Sequence, residues 1–379
     1  MKILINASKE KAGGGMQVSD SICTNLNKYP EHHFFVILPI QMHNTYLKIK
    51  YYKNVTLYEH TFKDSFYTLL TGHYSFLDNI VEKNQIDVVF TVFGPCRWVP
   101  KILHVCGFAR AQLLMPESPY YTQMGFLQKL KCNMHNKVLG YFFKRSAKIF
   151  YSENEMISQR VRSSFDTKCY TITNFYNQVF DNKKLWRSHI LPDYDGTTLL
   201  TISAVYPHKN LNISIKIAQY LKDKYPDFKC RFVFTATKEE FSPIESSLMK
   251  YFCFIGRVDV SECPSLYQQC DIAFQPSLLE CFTATYPEAM RMERPILTTN
   301  LQFAKGLCGE AAIYYEPTDY KEAAELIYKL ATDEKLKQKL VENGLIQLDK
   351  FDNYDDRLDK IIQILIDEYK IANNGNTIK

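Results

Sequence analysis

Two glutamates, Glu280 and Glu288, lie eight positions apart in the run SLLECFTATYPEAMRME over residues 277–293, among small and hydroxyl-bearing side chains. On an unbroken helix they would stand about 80° apart, at roughly 100° per residue. The loop-like composition and Pro287, a residue favoured where helices start, instead put Glu280 on a loop tip and Glu288 in a helix's first turn. Both carboxylates then point into the crevice beyond the carboxyl ends of a parallel sheet, where open α/β folds bind ligands. The plainer reading is capping. Thr285-x-x-Glu288 and Ser277-x-x-Glu280 both fit the capping box, and these residues alone leave both readings open.

Lys209, in SAVYPHKNLN (203–212), is a second candidate. It follows a strand pattern and precedes a helix that Asn210 is expected to cap. A helix amino end carries partial positive charge, so a lysine there is misplaced unless an anion sits between them. Gly13-Gly14-Gly15, between the first strand and the first helix, allows backbone N–H groups to approach a ligand closely. The plainer alternatives are a solvated surface lysine and an unliganded loop. No metal site is expected: Asp193-Tyr194-Asp195 reads as a turn beside Gly196, and none of the nine histidines shows ligand spacing with carboxylates.

These residues need an α/β frame, and the hydrophobic pattern supplies one. Strands are expected at 2–6, 33–38, 55–59, 87–93, 101–106, 148–152 and 169–173, with helices at 16–28, 64–83, 124–146 and 153–164. Periodicity lapses around 181–197, DNKKLWRSHILPDYDGT, which marks a linker. The rhythm then restarts, with strands at 197–204, 230–236, 251–255, 271–276, 295–299 and 312–315. Helices are expected at 210–224, 242–250, 263–270, 287–293, 319–331, 333–350 and 354–371, before a loose tail, NNGNTIK. Two βα series indicate two doubly wound parallel-sheet (Rossmann-like) domains facing across a cleft. The boundaries are 1–182 for the first and 197–352 for the second.

A chain of 379 residues with 46% hydrophobic content is long enough for two such cores. It has no apolar run long enough to span a membrane, and MKILINAS is too short and polar for a signal peptide. A cytoplasmic protein, peripheral on the membrane's inner face if it binds lipid, is the expectation. The eleven cysteines, odd in number and unpatterned, point to reduced thiols. A net charge of +5 is too small to argue for nucleic acid. That charge is nevertheless uneven. Between Ser118 and Ser152 there is no acidic residue, while Lys129, Lys131, Lys137, Lys144, Arg145 and Lys148 alternate with residues such as Leu130, Met134 and Val138. Segment 124–148 therefore reads either as a face for an anionic membrane or as a core-packed helix with solvated lysines.

Taken in order, SAVYPHKN, FIGRVDVSECPSLYQQCDIAFQPS (254–277), the Glu280–Glu288 spacing, EAMRMERPILTTN (288–300) and AAIYYEPTDYKEAAELIYKL (311–330) resemble the retaining glycosyltransferases of family four, which have the GT-B fold. The glycine loop, KILHVCGFA (101–109) and CYTITNFYN (169–177) agree more loosely. The resemblance implies a first domain that holds the acceptor, to which the last helix, about 354–371, returns, and a second that holds a nucleotide-diphosphate sugar. Glu288 would accept hydrogen bonds from the ribose, and Glu280, with backbone N–H groups near Phe282 and Thr283, would hold the transferred sugar. Lys209 would neutralise the diphosphate, the backbone at Arg257 and Val258 would face the base, His104 would lie near the sugar, and Gly14 and Gly15 would approach the diphosphate or acceptor. It further implies no cofactor and no metal, UDP or GDP as the carrier, and a glycan or lipid-linked glycan acceptor in surface polysaccharide synthesis. The family's second diphosphate cation falls at Ala204, with Arg257, His208 or Lys305 as substitutes. Cys281 stands where glycine is common. A catalytically silent GT-B subunit and a sugar-nucleotide epimerase are the alternative functions.

Overall fold

The computed structural model describes residues 1–11, 13–63 and 65–374. The strands are β1 (Lys2–Asn6), β2 (His33–Leu38), β3 (Val55–Glu59), β4 (Val88–Thr91), β5 (Leu103–Gly107), β6 (Ile149–Ser152), β7 (Lys168–Thr171), β8 (Thr197–Thr201), β9 (Cys230–Phe234), β10 (Phe252–Phe254), β11 (Ile272–Gln275), β12 (Ile296–Thr299) and β13 (Ala312–Tyr315). The helices are α1 (Gly14–Cys23), α2 (His43–Ile49), α3 (Phe66–Thr71), α4 (Ser75–Asn84), α5 (Ala111–Leu114), α6 (Pro119–Thr122), α7 (Phe126–Ser146) and α8 (Glu155–Phe165) in the first part of the chain. They continue with α9 (Ile213–Lys224), α10 (Cys263–Gln268), α11 (Thr285–Arg291), α12 (Gln302–Cys308), α13 (Tyr320–Thr332), α14 (Glu334–Leu348) and α15 (Tyr354–Asn374).

The chain divides into two compact units, one of residues 1–114, 126–174 and 352–379, the other of 115–125 and 175–351. The first holds a seven-stranded sheet in the order β3-β2-β1-β4-β5-β6-β7, every pair parallel. Buried on both faces, such strands read as continuous apolar runs. HFFVIL in β2 is one, with Phe35 opposite Leu4. The last helix completes this core with Leu358, Ile361, Ile362 and Leu365. Its Glu368, buried, takes Lys168 Nζ at 2.9 Å and the Tyr170 hydroxyl. The return of the C-terminal helix to the first unit is thus observed.

The second unit holds six parallel strands in the order β10-β9-β8-β11-β12-β13. Its helices cover a core that includes Phe232, Phe234, Phe274 and Tyr315. Helix α13 starts where Asp319 accepts hydrogen bonds from the backbone of Lys321 and Glu322, both at 3.0 Å. In each sheet the strand order reverses once, between β1 and β4 and between β8 and β11. Those are the positions at which doubly wound sheets open a ligand crevice.

Local departures from expectation have local causes. The expected helix 64–83 is two helices, because Gly72 adopts a left-handed conformation, φ 78°, and closes α3; its first position, residue 64, lies outside the described residues. The expected helix 242–250 is only a 3₁₀ turn at Ser246–Tyr251. Positions 375–379 of the expected tail also lie outside the described residues. All eleven cysteines are free, and all but Cys132 and Cys253 are buried.

Candidate active site

The loops after β8 and β11, the two strands flanking the reversal in the second sheet, carry Lys209 and Glu280. After β8 the chain makes a 3₁₀ turn at Pro207–Lys209, and Asn210 follows with φ 54°. Asn210 is therefore not the helix cap expected: α9 begins at Ile213, with Asn212 at its cap position. A left-handed residue ends a turn and cannot open the next one in helical register. Lys209 consequently sits on a loop and not on the helix's first turn.

The loop after β11 is unusually buried. Leu278 and Leu279 are each 1% exposed, which anchors the segment and presents Glu280 from a fixed backbone. Leu278 N–H donates to His208 C=O at 2.7 Å, tying the two loops together. Lys209 Nζ lies 2.5 Å from Glu280 Oε1. This is an ion pair by distance but is not aligned as a hydrogen bond, since the buried Oε1 has no hydrogen-bond partner. Both groups are largely buried, so removing either leaves the other without its partner away from solvent. His208 beside them is pushed below the ordinary histidine range by burial. It is thus a poor replacement for the cation absent at Ala204. Cys281 does not adopt a left-handed conformation, so the loop does not require glycine there.

Phe282 and Thr283 continue the loop, Phe282 edge-on to Phe351 at 6.1 Å. Among the described residues their backbone N–H groups have no acceptor. Helix α11 then starts at Thr285, two residues before the expected start, with Ala284 at the cap position and no side-chain cap. This overturns the capping reading of both motifs. Thr285 lies inside the helix with its hydroxyl on Thr283, and no helix begins after Ser277. Glu288 is in the first turn and 5% exposed. Burial pushes its carboxyl up to about 7, opposed by one hydrogen bond from the Tyr267 hydroxyl to Oε2 at 3.3 Å. The two glutamates therefore differ in kind: one is ion-paired, the other is a desolvated acceptor with one donor.

Arg257 and Val258 follow β10, the edge strand two places from β8, with Gly256 at φ 71° and Arg257 exposed. Three supporting residues come from the short segment 115–125, which no sequence motif marks. The Ser118 hydroxyl donates to Leu278 C=O at 2.7 Å, the Tyr120 ring meets His208 edge-on at 6.1 Å, and Gln123 reaches Asn210 at 3.5 Å. Tyr267 lies within the quoted 254–277 stretch; only its burial, invisible in sequence, singles it out.

His104, Gly14 and Gly15 belong to the first unit. Gly13 caps α1 at φ 68°, ψ −149°, a region essentially reserved for glycine. Gly14 and Gly15 open the helix. A Cβ on Gly14 would meet nothing within 4 Å, whereas one on Gly15 would lie 1.9 Å from Glu10 Oε2. Glu10, unremarked in the sequence, is raised to about 7 by burial, against the opposing charges of Arg110 and Lys9. His104 requires a correction. β5 starts at Leu103, so His104 is its second residue, at the amino end, away from the carboxyl ends where ligands bind. Its two ring nitrogens are taken by the Thr91 hydroxyl at 2.8 Å and Ser146 C=O at 2.6 Å, and burial lowers its pKa to about 4. It is a neutral structural residue with no free atom for a sugar.

Among the described residues, no cluster of three or more His, Cys, Asp or Glu side chains is placed to hold a metal ion. Asp195, in the turn noted above, pairs with Lys229 at 2.8 Å in solvent. No helix of the described residues is long and apolar enough to cross a membrane.

Residues 182–346 match the family model for glycosyl transferases group 1. Over that stretch the chain is similar to the group 1 glycosyl transferases. The O-antigen chain mannosyltransferase RfbU of Salmonella typhimurium (strain LT2) is 23% identical over 236 residues, a match spanning 62% of this chain and 64% of that protein's length. WaaG, a glycosyltransferase involved in lipopolysaccharide biosynthesis, is 16% identical with a TM-score of 0.65, covering 96% of this chain and 99% of that one. Anabaena Alr3699/HepE, solved with UDP and glucose, is 14% identical with a TM-score of 0.64, covering 97% and 100%. At these identities the structural likeness establishes the fold, GT-B, as expected. The group 1 match covers most of the second unit, including Lys209, Glu280 and Glu288.

Proposed function

We propose that this group 1 glycosyl transferase moves a hexose from a nucleotide-diphosphate donor to a glycan or lipid-linked glycan in surface polysaccharide synthesis, with retention of configuration and without a metal. The observation that carries the reading is the Lys209–Glu280 ion pair on the two loops beside the strand-order reversal of the second sheet. The second unit takes the donor and the first the acceptor. The donor diphosphate competes for Lys209, which releases Glu280 to accept sugar hydroxyls, while Phe282 and Thr283 N–H groups bind oxygens. Glu288 accepts the ribose hydroxyls, the segment at Arg257 and Val258 faces the base, and Gly14 and Gly15 serve the diphosphate or acceptor. The acceptor hydroxyl attacks the anomeric carbon from the face the diphosphate leaves, and a leaving phosphate oxygen takes the hydroxyl proton. Lys209 offsets the charge that develops on that group. The two glutamates, so differently placed, do not form the flanking acid and nucleophile of a retaining glycosidase.

Similarity to RfbU, an O-antigen chain mannosyltransferase, and to WaaG supports a surface glycan as the product and a cytoplasmic enzyme, peripheral if its acceptor is lipid-linked. HepE, solved with UDP and glucose, keeps UDP alongside GDP as carrier. The test is a panel of UDP-, GDP-, ADP- and CMP-linked sugars scored by thermal shift and slow donor hydrolysis, with and without EDTA. One donor should both stabilise the protein and be hydrolysed, and EDTA should change neither. Binding without turnover, even with cell-derived acceptors, would establish a silent subunit instead.

A further inference from the structure

Helix α7 carries an apolar stripe on its outer side as well as apolar residues on its inner one. At about 100° per residue, Leu130, Tyr141, Met134, Leu127 and Val138 fall within about 80° of one another on the helical wheel. All five are at least half exposed, from 50% for Leu130 to 70% for Leu127. The partly buried positions Cys132, Asn136, Leu139 and Gly140 lie on the opposite side. That side is the one that packs: Asn136 donates to Gln112 C=O at 2.9 Å, and Gly140 approaches Leu113. A helix serving only its own core turns its apolar stripe inward; this one buries Phe142 and Phe143 at its carboxyl end, packs Cys132, Asn136, Leu139 and Gly140 along its middle, and still leaves a second apolar stripe in solvent.

The stripe has neighbours. Lys131 and Lys137 sit about 20° beyond its two margins, and no carboxylate occurs between Ser118 and Ser152. Arg145, on the same side, donates to Leu69 C=O at 2.8 Å and Leu70 C=O at 2.7 Å. This brings α3 against the carboxyl end of the stripe, and α3 itself exposes Phe66, Tyr67 and Leu70 at 77%, 61% and 59%. The apolar surface therefore runs from one helix to the other. An apolar face this large is rarely left uncovered on a soluble surface.

We propose that this α7–α3 face docks on an anionic lipid bilayer, the stripe entering the interface and the marginal lysines reaching lipid phosphates. Long basic side chains beside an apolar stripe suit that boundary, because the stem is buried while the charge stays at the headgroups. Pairing with a second copy would oppose one set of lysines to another without a compensating carboxylate. Docking requires neither donor nor transfer, so it stands or falls independently of the reaction proposed above.

The test is flotation of the full chain with vesicles of phosphatidylcholine alone or mixed with phosphatidylglycerol. The chain should float with the anionic vesicles, most strongly at low salt. Leu130→Ser with Met134→Ser should weaken this by about tenfold or more, and Lys131→Glu with Lys137→Glu should remove the preference for anionic lipid. Because all four sites are exposed, the unfolding midpoint and the slow hydrolysis of donor should stay unchanged in both variants. Wild-type protein that fails to float at low salt, or a Leu130/Met134 variant that floats as well as wild type, overturns the proposal. So does a solution dimer that the Leu130/Met134 variant disperses without loss of flotation, which would assign the stripe to a second copy.

Discussion

Replacing Glu288 by glutamine should stabilise the protein at alkaline pH while weakening its grip on nucleotide. Burial raises this carboxyl from 4.5 in a solvated chain to about 7 in the folded one. Below pH 4.5 it is protonated in both states and contributes no difference. As pH rises, the unfolded chain releases the proton first, so folding loses stability across the window from 4.5 to about 7. Above that window the folded state carries the whole penalty of a desolvated carboxylate, roughly 3 kcal/mol at about 1.36 kcal/mol per pH unit. Glutamine keeps the shape and the hydrogen bond from Tyr267 but cannot ionise. Relative to wild type, Glu288→Gln should therefore gain nothing in acid and roughly 3 kcal/mol above neutrality. For a unit of this size that corresponds to about 6–12 °C in the unfolding midpoint. The measurement is thermal or urea unfolding of both proteins across that pH range, with and without the nucleotide found in the donor panel. The midpoints should diverge with pH without nucleotide, and nucleotide should raise the wild type far more than the variant. Parallel stability curves would refute the desolvated carboxylate, and equal nucleotide binding would refute its role as ribose acceptor.

Lys209→Ala should lower turnover at least tenfold, about 1.4 kcal/mol. It should also reduce stability, because Glu280 is left buried without its partner; full activity would remove Lys209 from the site. Gly15→Ala should displace the Glu10 carboxylate, since its Cβ falls on the flexible end of that side chain, yet change stability in urea unfolding by no more than about 1 kcal/mol, because alanine favours the helix. His104→Leu should cost about 1–3 kcal/mol for each partner left unpaired, Thr91 and Ser146. Calorimetry should show donor binding unchanged in that variant, whereas lost turnover at unchanged stability would return His104 to the chemistry.

What the sequence made legible follows from the range of the forces involved. The strands of both sheets are short apolar runs bounded by breakers, and the pattern located them within a few residues. The placement of Lys209 and Glu280 after β8 and β11, and of Glu288 in a helix's first turn, was legible because such spacing follows the loops of a doubly wound sheet. Where the expectation failed, the deciding contact was tertiary or a single backbone torsion. Asn210 resembles a cap in sequence, but its left-handed φ makes it a turn ending. Glu288 fits a capping box, yet helix α11 starts at Thr285 and the carboxyl turns to Tyr267, far away in sequence. His104 lies in the apolar run KILHVCGFA, and only the start of β5 shows that it sits at the amino end of its strand. The segment 115–125 has no signature at all, because its membership in the second unit rests on Ser118 and Tyr120 meeting residues more than eighty positions away.

The chain passes between its two units four times, which fixes an order of completion during synthesis. The sheet of the first unit is entirely translated by residue 171, but its core still lacks Leu358, Ile361, Ile362 and Leu365. The partner of Lys168, Glu368, emerges two hundred residues later. The second unit begins with eleven residues, 115–125, that wait through the rest of the first before their neighbours exist. The second unit can therefore close while the first still exposes the groove that α15 will fill. The part of the protein made earliest is the last to become whole, and a nascent chain interrupted near its end would carry a finished second unit on an unfinished first.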